Sequence, residues 1–148
     1  MRKHFREGQI VLRCLPVLLL VSGCGDAGGP ECDSPDARNS VLKTISDNSN
    51  NALVDFVAKN SDTVAARVSN ASTETEKSAI WQQARQGAVY KLDDSIIMNS
   101  RNRKGRAVTC TALLYATVEE STAQKEVDFK VEQAPDGKVS VTVKPFQF

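Results

Sequence analysis

In three runs between residues 108 and 143 apolar side chains return at every second position, and this spacing constrains the chain more than any other feature. Val108, Cys110, Ala112, Leu114, Ala116 and Val118 form one such row. Val127, Phe129 and Val131 alternate with Glu126, Asp128, Lys130 and Glu132; Val139, Val141 and Val143 alternate with Lys138, Ser140, Thr142 and Lys144. Side chains along a strand point to opposite faces in turn, so these runs predict three strands, each with one apolar face. Tyr90, Leu92, Ile96 and Met98 predict another strand ahead of them. Ala134-Pro135-Asp136-Gly137 joins the last two, with Pro presetting the first turn position and Gly supplying the positive φ. Four antiparallel strands with one apolar face need a cover on that face.

The preceding residues can supply it. Asp33-Ser34-Pro35-Asp36 reads as a helix start, with a capping side chain, Pro in the first turn and an acid near the positive end. Val41, Leu42, Ile45, Ala52, Leu53, Phe56 and Val57 recur mostly at three- and four-residue steps, which predicts a helix over roughly 35–59. Its middle, residues 46–51, is polar and poor in helix formers, so it can break there into two pieces. Residues 60–71 fit a short helix or a strand. Thr73-Glu74-Thr75-Glu76 fits a capping box opening a helix to about Gln86, ended by Gly87, with Ala79, Ile80 and Ala84 inward and Trp81 nearby. Helices followed by a four-stranded antiparallel sheet make an α+β class. The element order resembles the cystatin-like and NTF2-like group, a likeness that implies no function.

The first 24 residues carry an address. A basic stretch, Met1–Arg13, precedes the apolar run Cys14–Val21, which is too short to span a bilayer. Val21-Ser22-Gly23-Cys24 then resembles a bacterial lipobox. The resemblance implies removal of residues 1–23 and diacylglyceryl attachment to the Cys24 sulfur. Multiple acyl chains give stable membrane anchoring. Gly25, rather than Asp, follows the lipid-bearing cysteine, a pattern that resembles export to the outer membrane, facing the periplasm. Residues 24–31 read as a Gly-rich tether, and 32–148 as a single domain.

Two cysteines remain after Cys14 leaves and Cys24 is acylated. Cys32 and Cys110 stand 78 positions apart in an oxidising compartment, which predicts one disulfide. The alternative is a reactive or metal-binding thiol pair. It has no Cys-x-x-Cys spacing, no His and no third cysteine behind it.

Charge and histidine content narrow the function. Residues 1–23 hold four of the 19 basic and one of the 18 acidic residues, so the rest carries 15 against 17, a net charge of −2. That balance disfavours a nucleic-acid binder. The one histidine, His4, lies in the expected signal segment, so the mature chain has no imidazole for catalysis or metal binding. Asp93-Asp94 and Glu119-Glu120 are adjacent carboxylates, and neighbours in a strand face opposite ways, so neither pair works as a unit. No phosphate loop, metal-ligand cluster or nucleophile elbow is present, and no cofactor is expected. Arg101, Arg103, Lys104 and Arg106 place four positive charges in one loop, a candidate contact for anionic lipid or an acidic protein face. Tyr115, with Leu113, falls on the polar side of its strand and is a candidate partner contact, unless residues 60–71 cover it.

Ile96-Ile97-Met98-Asn99-Ser100-Arg101, followed by Val108-Thr109-Cys110-Thr111-Ala112-Leu113-Leu114, resembles a pattern in small uncharacterised bacterial lipoproteins. There a strand ending in Arg precedes a strand carrying Cys-x-Ala-x-Leu, and an early cysteine opens a helix. The likeness covers about 32–146. It implies an exported domain with one disulfide and implies no activity. The expected function is a membrane-anchored, non-enzymatic module binding a protein partner in the envelope, as an inhibitor, immunity, exclusion or secretion accessory. The alternatives are a small-ligand or lipid carrier using the concave sheet face, and a structural envelope lipoprotein.

Overall fold

The computed structural model describes residues 28–144. The expected signal segment, Cys24, the first part of the tether and residues 145–148 lie outside the described residues. The helices are α1 (Pro35–Ser46), α2 (Ala52–Lys59), α3 (Asp62–Asn70) and α4 (Glu74–Gln86). The strands are β1 (Val89–Leu92), β2 (Ile97–Arg101), β3 (Ala107–Val118), β4 (Ser121–Gln133) and β5 (Val139–Val143). The class is α+β, and the sheet is antiparallel throughout.

β3 organises this sheet. Along one edge it pairs with β4 from Ala107 to Val118. Along the other it pairs with β2 through Val108–Thr111 and with β1 through Leu114–Thr117. β5 pairs with the far edge of β4. The single strand expected around residues 90–98 is therefore two strands, and the sheet has five rather than four. Asp93–Ile96 interrupts the run. Its fold is held locally, with the Asp93 carboxylate accepting from the Ser95 N–H and the Asp94 carbonyl from the Ile96 N–H, and from outside, where the Arg38 guanidinium, on α1, donates to the carbonyls of Leu92 and Asp93 and to the Asp94 carboxylate. The Asp93 N–H still donates to the Leu113 carbonyl at 2.8 Å, which keeps that β3 acceptor paired across the gap.

Alternation along β3 is complete. Val108, Cys110, Ala112, Leu114, Ala116 and Val118 are all buried, as are Val127, Phe129 and Val131 opposite them. α2 contacts β3 and β4, while α1 contacts β5 and β1. Val41, Ile45, Leu53, Val57 and Val64 join the strand residues in one buried cluster. α3 and α4 contact each other, and both contact α2.

The break between α1 and α2 falls in the polar stretch. Asp47 closes α1, and the Asn48 side chain accepts from the Asn50 N–H, drawing the backbone away from helix. Asn51 then starts α2 by accepting from the N–H groups of Leu53 and Val54. Its Nδ2 donates to the Ile45 carbonyl and the Tyr90 hydroxyl. Asn51 is only 2% exposed, so one amide satisfies the end of α1, the start of α2 and a phenol on β1.

Within residues 60–71, Asp62–Asn70 is helical, one of the two alternatives expected. Ser61 caps α3 by accepting from the Val64 N–H. Thr73 and Glu76 form the expected capping box, and Gly87 follows the last residue of α4. Ile80 and Ala84 turn inward, whereas Ala79 is exposed, a correction to its expected placement. Residues 80 and 84 share a helix face; position 79 is rotated about 100° from 80. The hairpin turn at Ala134–Gly137 forms as expected, with Gly137 at φ +85°.

Cys32 and Cys110 form a disulfide, with Cα atoms 5.9 Å apart. It joins the segment entering α1 to the first third of β3. Cys110→Ser is expected to destabilise the oxidised protein by about 2–5 kcal/mol, since the bond closes a long loop. Thermal melting of both proteins, oxidised and then reduced, checks this; equal oxidised stabilities would contradict it. Asn51→Ala is expected to cost about 2–3 kcal/mol, the sum of a lost cap and unpaired buried groups. Urea unfolding measures it, and a loss below about 0.5 kcal/mol would mean that water replaces the amide.

Candidate functional site

The two regions singled out in the sequence lie at different places on the sheet. Arg101 ends β2, and Arg103, Lys104 and Arg106 lie in the turn that leads into β3. Tyr115 sits eight residues further along β3, roughly 27 Å at strand rise. The structure does not bring it to the basic loop.

Asn102 shapes that loop. Its backbone N–H donates to the Ala107 carbonyl, and its carbonyl accepts from the Gly105 N–H. Its side-chain oxygen accepts from the N–H groups of Arg106 and Ala107 at 2.9 and 3.2 Å. Gly105 takes φ +66°, which suits glycine. The Arg106 carbonyl accepts from the Gln133 N–H, tying the loop to β4. All four basic side chains are exposed. Among the described residues no carboxylate forms an ion pair with any of them. With the hairpin turn, Arg101, Lys104 and Arg106 line an open cleft of about 470 Å³.

The chain enters the domain at this same place. Gly29 lies against the loop: a Cβ there would run into the Gly105 carbonyl oxygen and stand 2.7 Å from Arg101 Nη1. Pro30 is buried. The sequence showed a Gly-rich tether and a basic loop, but no local pattern joins positions 29 and 105.

Tyr115 lies on the other face of β3, with Thr109, Thr111, Leu113 and Thr117. α3 lies against α2 and α4, so residues 60–71 do not serve as its cover. Much of this face is a polar ladder. Asn99 donates to Thr111, Thr111 donates to Asp128, and Lys144 approaches Asp128 at 3.4 Å. Ser100 bonds Thr109, and Thr117 bonds Thr122. The Thr111 hydroxyl first, then Lys144, holds the Asp128 carboxyl below its ordinary range. Beside the ladder lies an apolar strip. Val89 and Ile97 are 66% and 63% exposed, and register places them on the face of Leu113 and Tyr115. The Tyr115 hydroxyl donates to Asp93 Oδ2 at 3.3 Å. Partial desolvation and then the Asp93 charge raise its pKa. Val89 and Ile97 had not stood out in the sequence, although the alternation of Tyr90, Leu92 and Met98 sets them on the opposite face, and the register keeps that parity across Asp93–Ile96.

The acidic pairs have structural partners. Asp93 accepts from Ser95 and Tyr115, and Asp94 pairs with Arg38. Glu119 takes φ +50° at the β3–β4 turn and stands 3.5 Å from Arg67. The Glu120 carboxylate accepts from the Ser61 hydroxyl and the Thr63 N–H at the start of α3. Among the described residues no group of three or more His, Cys, Asp or Glu could hold a metal ion. No helix among them is long and apolar enough to cross a membrane. Compared with known protein families, curated proteins and solved structures, the chain matches none of them.

Two predictions follow from this geometry. Glu120's own N–H, then Thr63 and Ser61, hold its pKa at about 2 against an ordinary 4.5. Its contribution to stability is complete above the unfolded value and is lost as pH falls from 4.5 through about 2. Glu120→Gln is therefore expected to lower stability at pH 7 and to flatten the acid limb of the pH–stability curve; parallel curves for the two proteins would contradict this. Asn102→Ala is expected to cost about 1–2 kcal/mol through two lost hydrogen bonds. It should also speed amide exchange at Arg106 and Ala107, read by NMR; unchanged exchange there would deny Asn102 its role.

Proposed function

We propose that this chain is an envelope lipoprotein, anchored through Cys24, that works as a non-enzymatic binding module for a protein partner. The observation carrying this reading is the contrast between the two sheet faces. Cys110, Ala112, Leu114, Ala116, Val127, Phe129 and Val131 are each at most 2% exposed, so side chains occupy the face a carrier would need as its chamber. The other face presents Val89, Ile97, Leu113 and Tyr115 beside a hydrogen-bonded threonine ladder. Aromatic and aliphatic side chains within a polar surround suit a protein contact. The lipobox pattern of residues 21–24 is the basis for the anchor and for an outer-membrane, periplasm-facing location. The cystatin-like or NTF2-like element order belongs to the same proposal and adds nothing to function.

The test is crosslinking of the full-length protein in its own membranes, followed by affinity capture and mass spectrometry. The expected result is one stoichiometric protein partner, with acyl chains on Cys24. Ile97→Asp and Tyr115→Ala should each lower recovery of that partner at least roughly tenfold, the weight of a central contact, while circular dichroism and thermal melting show that both variants remain folded at the assay temperature. Recovery of lipid alone, or of a partner indifferent to both substitutions, would refute the reading.

A further inference from the structure

The basic loop, the chain's point of entry and the acidic turn lie along one axis of the domain. Gly29 lies against Gly105, within the loop. Cys24 is five residues earlier, so even a fully extended chain keeps it within about 18 Å of Gly29. The expected lipid is thus confined to the end that carries Arg101, Arg103, Lys104 and Arg106. Two acids at this end are paired, Asp136 with Lys138 and Glu132 with Lys130. Glu31, Asp33 and Asp36, on the entering segment and the first turn of α1, are exposed and offset part of the loop's charge. At the opposite end of β3, roughly 37 Å away along the strand, the turn carries Glu119 and Glu120.

We infer that the β2–β3 loop is a docking surface for anionic lipid headgroups, by which the domain lies on the membrane holding its lipid. The inference rests on the reading of Cys24 as the anchor. Four exposed cations without carboxylate partners meet an anionic surface at little cost in desolvated ion pairs, and each adds about fivefold to partitioning. The acidic turn is turned away from the same surface. Asn102 and the bond from Gln133 to Arg106 hold the loop in shape beforehand, so less freedom is lost on contact. This orientation leaves Val89, Ile97 and Tyr115 to the side of the domain, clear for a protein.

The test uses the full-length acylated protein in vesicles of phosphatidylcholine, with or without one third phosphatidylglycerol. Trypsin cleavage within Arg101–Arg106 is compared with cleavage after Lys59. The expected result is at least roughly tenfold slower loop cleavage in the anionic vesicles, with protection lost near 0.5 M salt, where screening acts within roughly 4 Å. Arg103→Gln/Lys104→Gln should remove most of the protection at Arg101 and Arg106. Equal loop cleavage in both vesicles, or protection in neutral vesicles as well, would overturn the inference. Intact mass separates this from the anchor. Should Cys24 prove unacylated, the same chain is sedimented with each vesicle: pelleting with the anionic vesicles alone supports the docking surface, and its absence overturns it.

Discussion

β3 must keep six alternate side chains out of water, and the positions of the other elements follow from that requirement. One edge is satisfied by β4 along its length, and the other by β1 and β2 in turn. The apolar face meets Leu53, Val57 and Val64 from the helices, and Cys110 extends the same face into a covalent bond to Cys32. Non-directional burial holds the elements together. The disulfide adds a fixed point and restricts the unfolded chain.

A strand buried on one side leaves its function to the other side and to its ends. The outer face of β3 is filled mostly by threonines, whose hydroxyls bond across to β2 and β4 and present a polar, ordered surface. The apolar strip beside them is exposed because β1 and β2 are edge strands. The two ends carry opposite charge. Glu120 is committed to the start of α3, whereas the four cations at the other end have no carboxylate partner among the described residues.

What the sequence made legible was local. The strand alternation, the Pro-Asp-Gly turn, the capping box at Thr73 and the weak middle of the first helix each depend on residues within one or two turns. The disulfide was legible because only two cysteines were left to pair. The division of the first strand was not, because the local bonds of Asp93 and Asp94 to Ser95 and Ile96 are completed by Arg38, more than fifty residues earlier. Residues 60–71 stayed ambiguous for a similar reason: part of the start of α3 is supplied by Glu120, nearly sixty residues away. The basic residues were visible as a cluster, but their closeness to the tether required the contact of Gly29 with Gly105. Tyr115 and that loop were separate candidates in the sequence, and the extended course of β3 sets the distance between them.

The account's central claim is that membrane and partner are met by different surfaces of one small domain. Photocrosslinking in native membranes tests it most directly, with a photoreactive phenylalanine replacing Lys104 in one preparation and Tyr115 in another. The account predicts lipid adducts from position 104 and a single protein adduct from position 115. Lipid adducts from 115, or the same protein adduct from both positions, would contradict it.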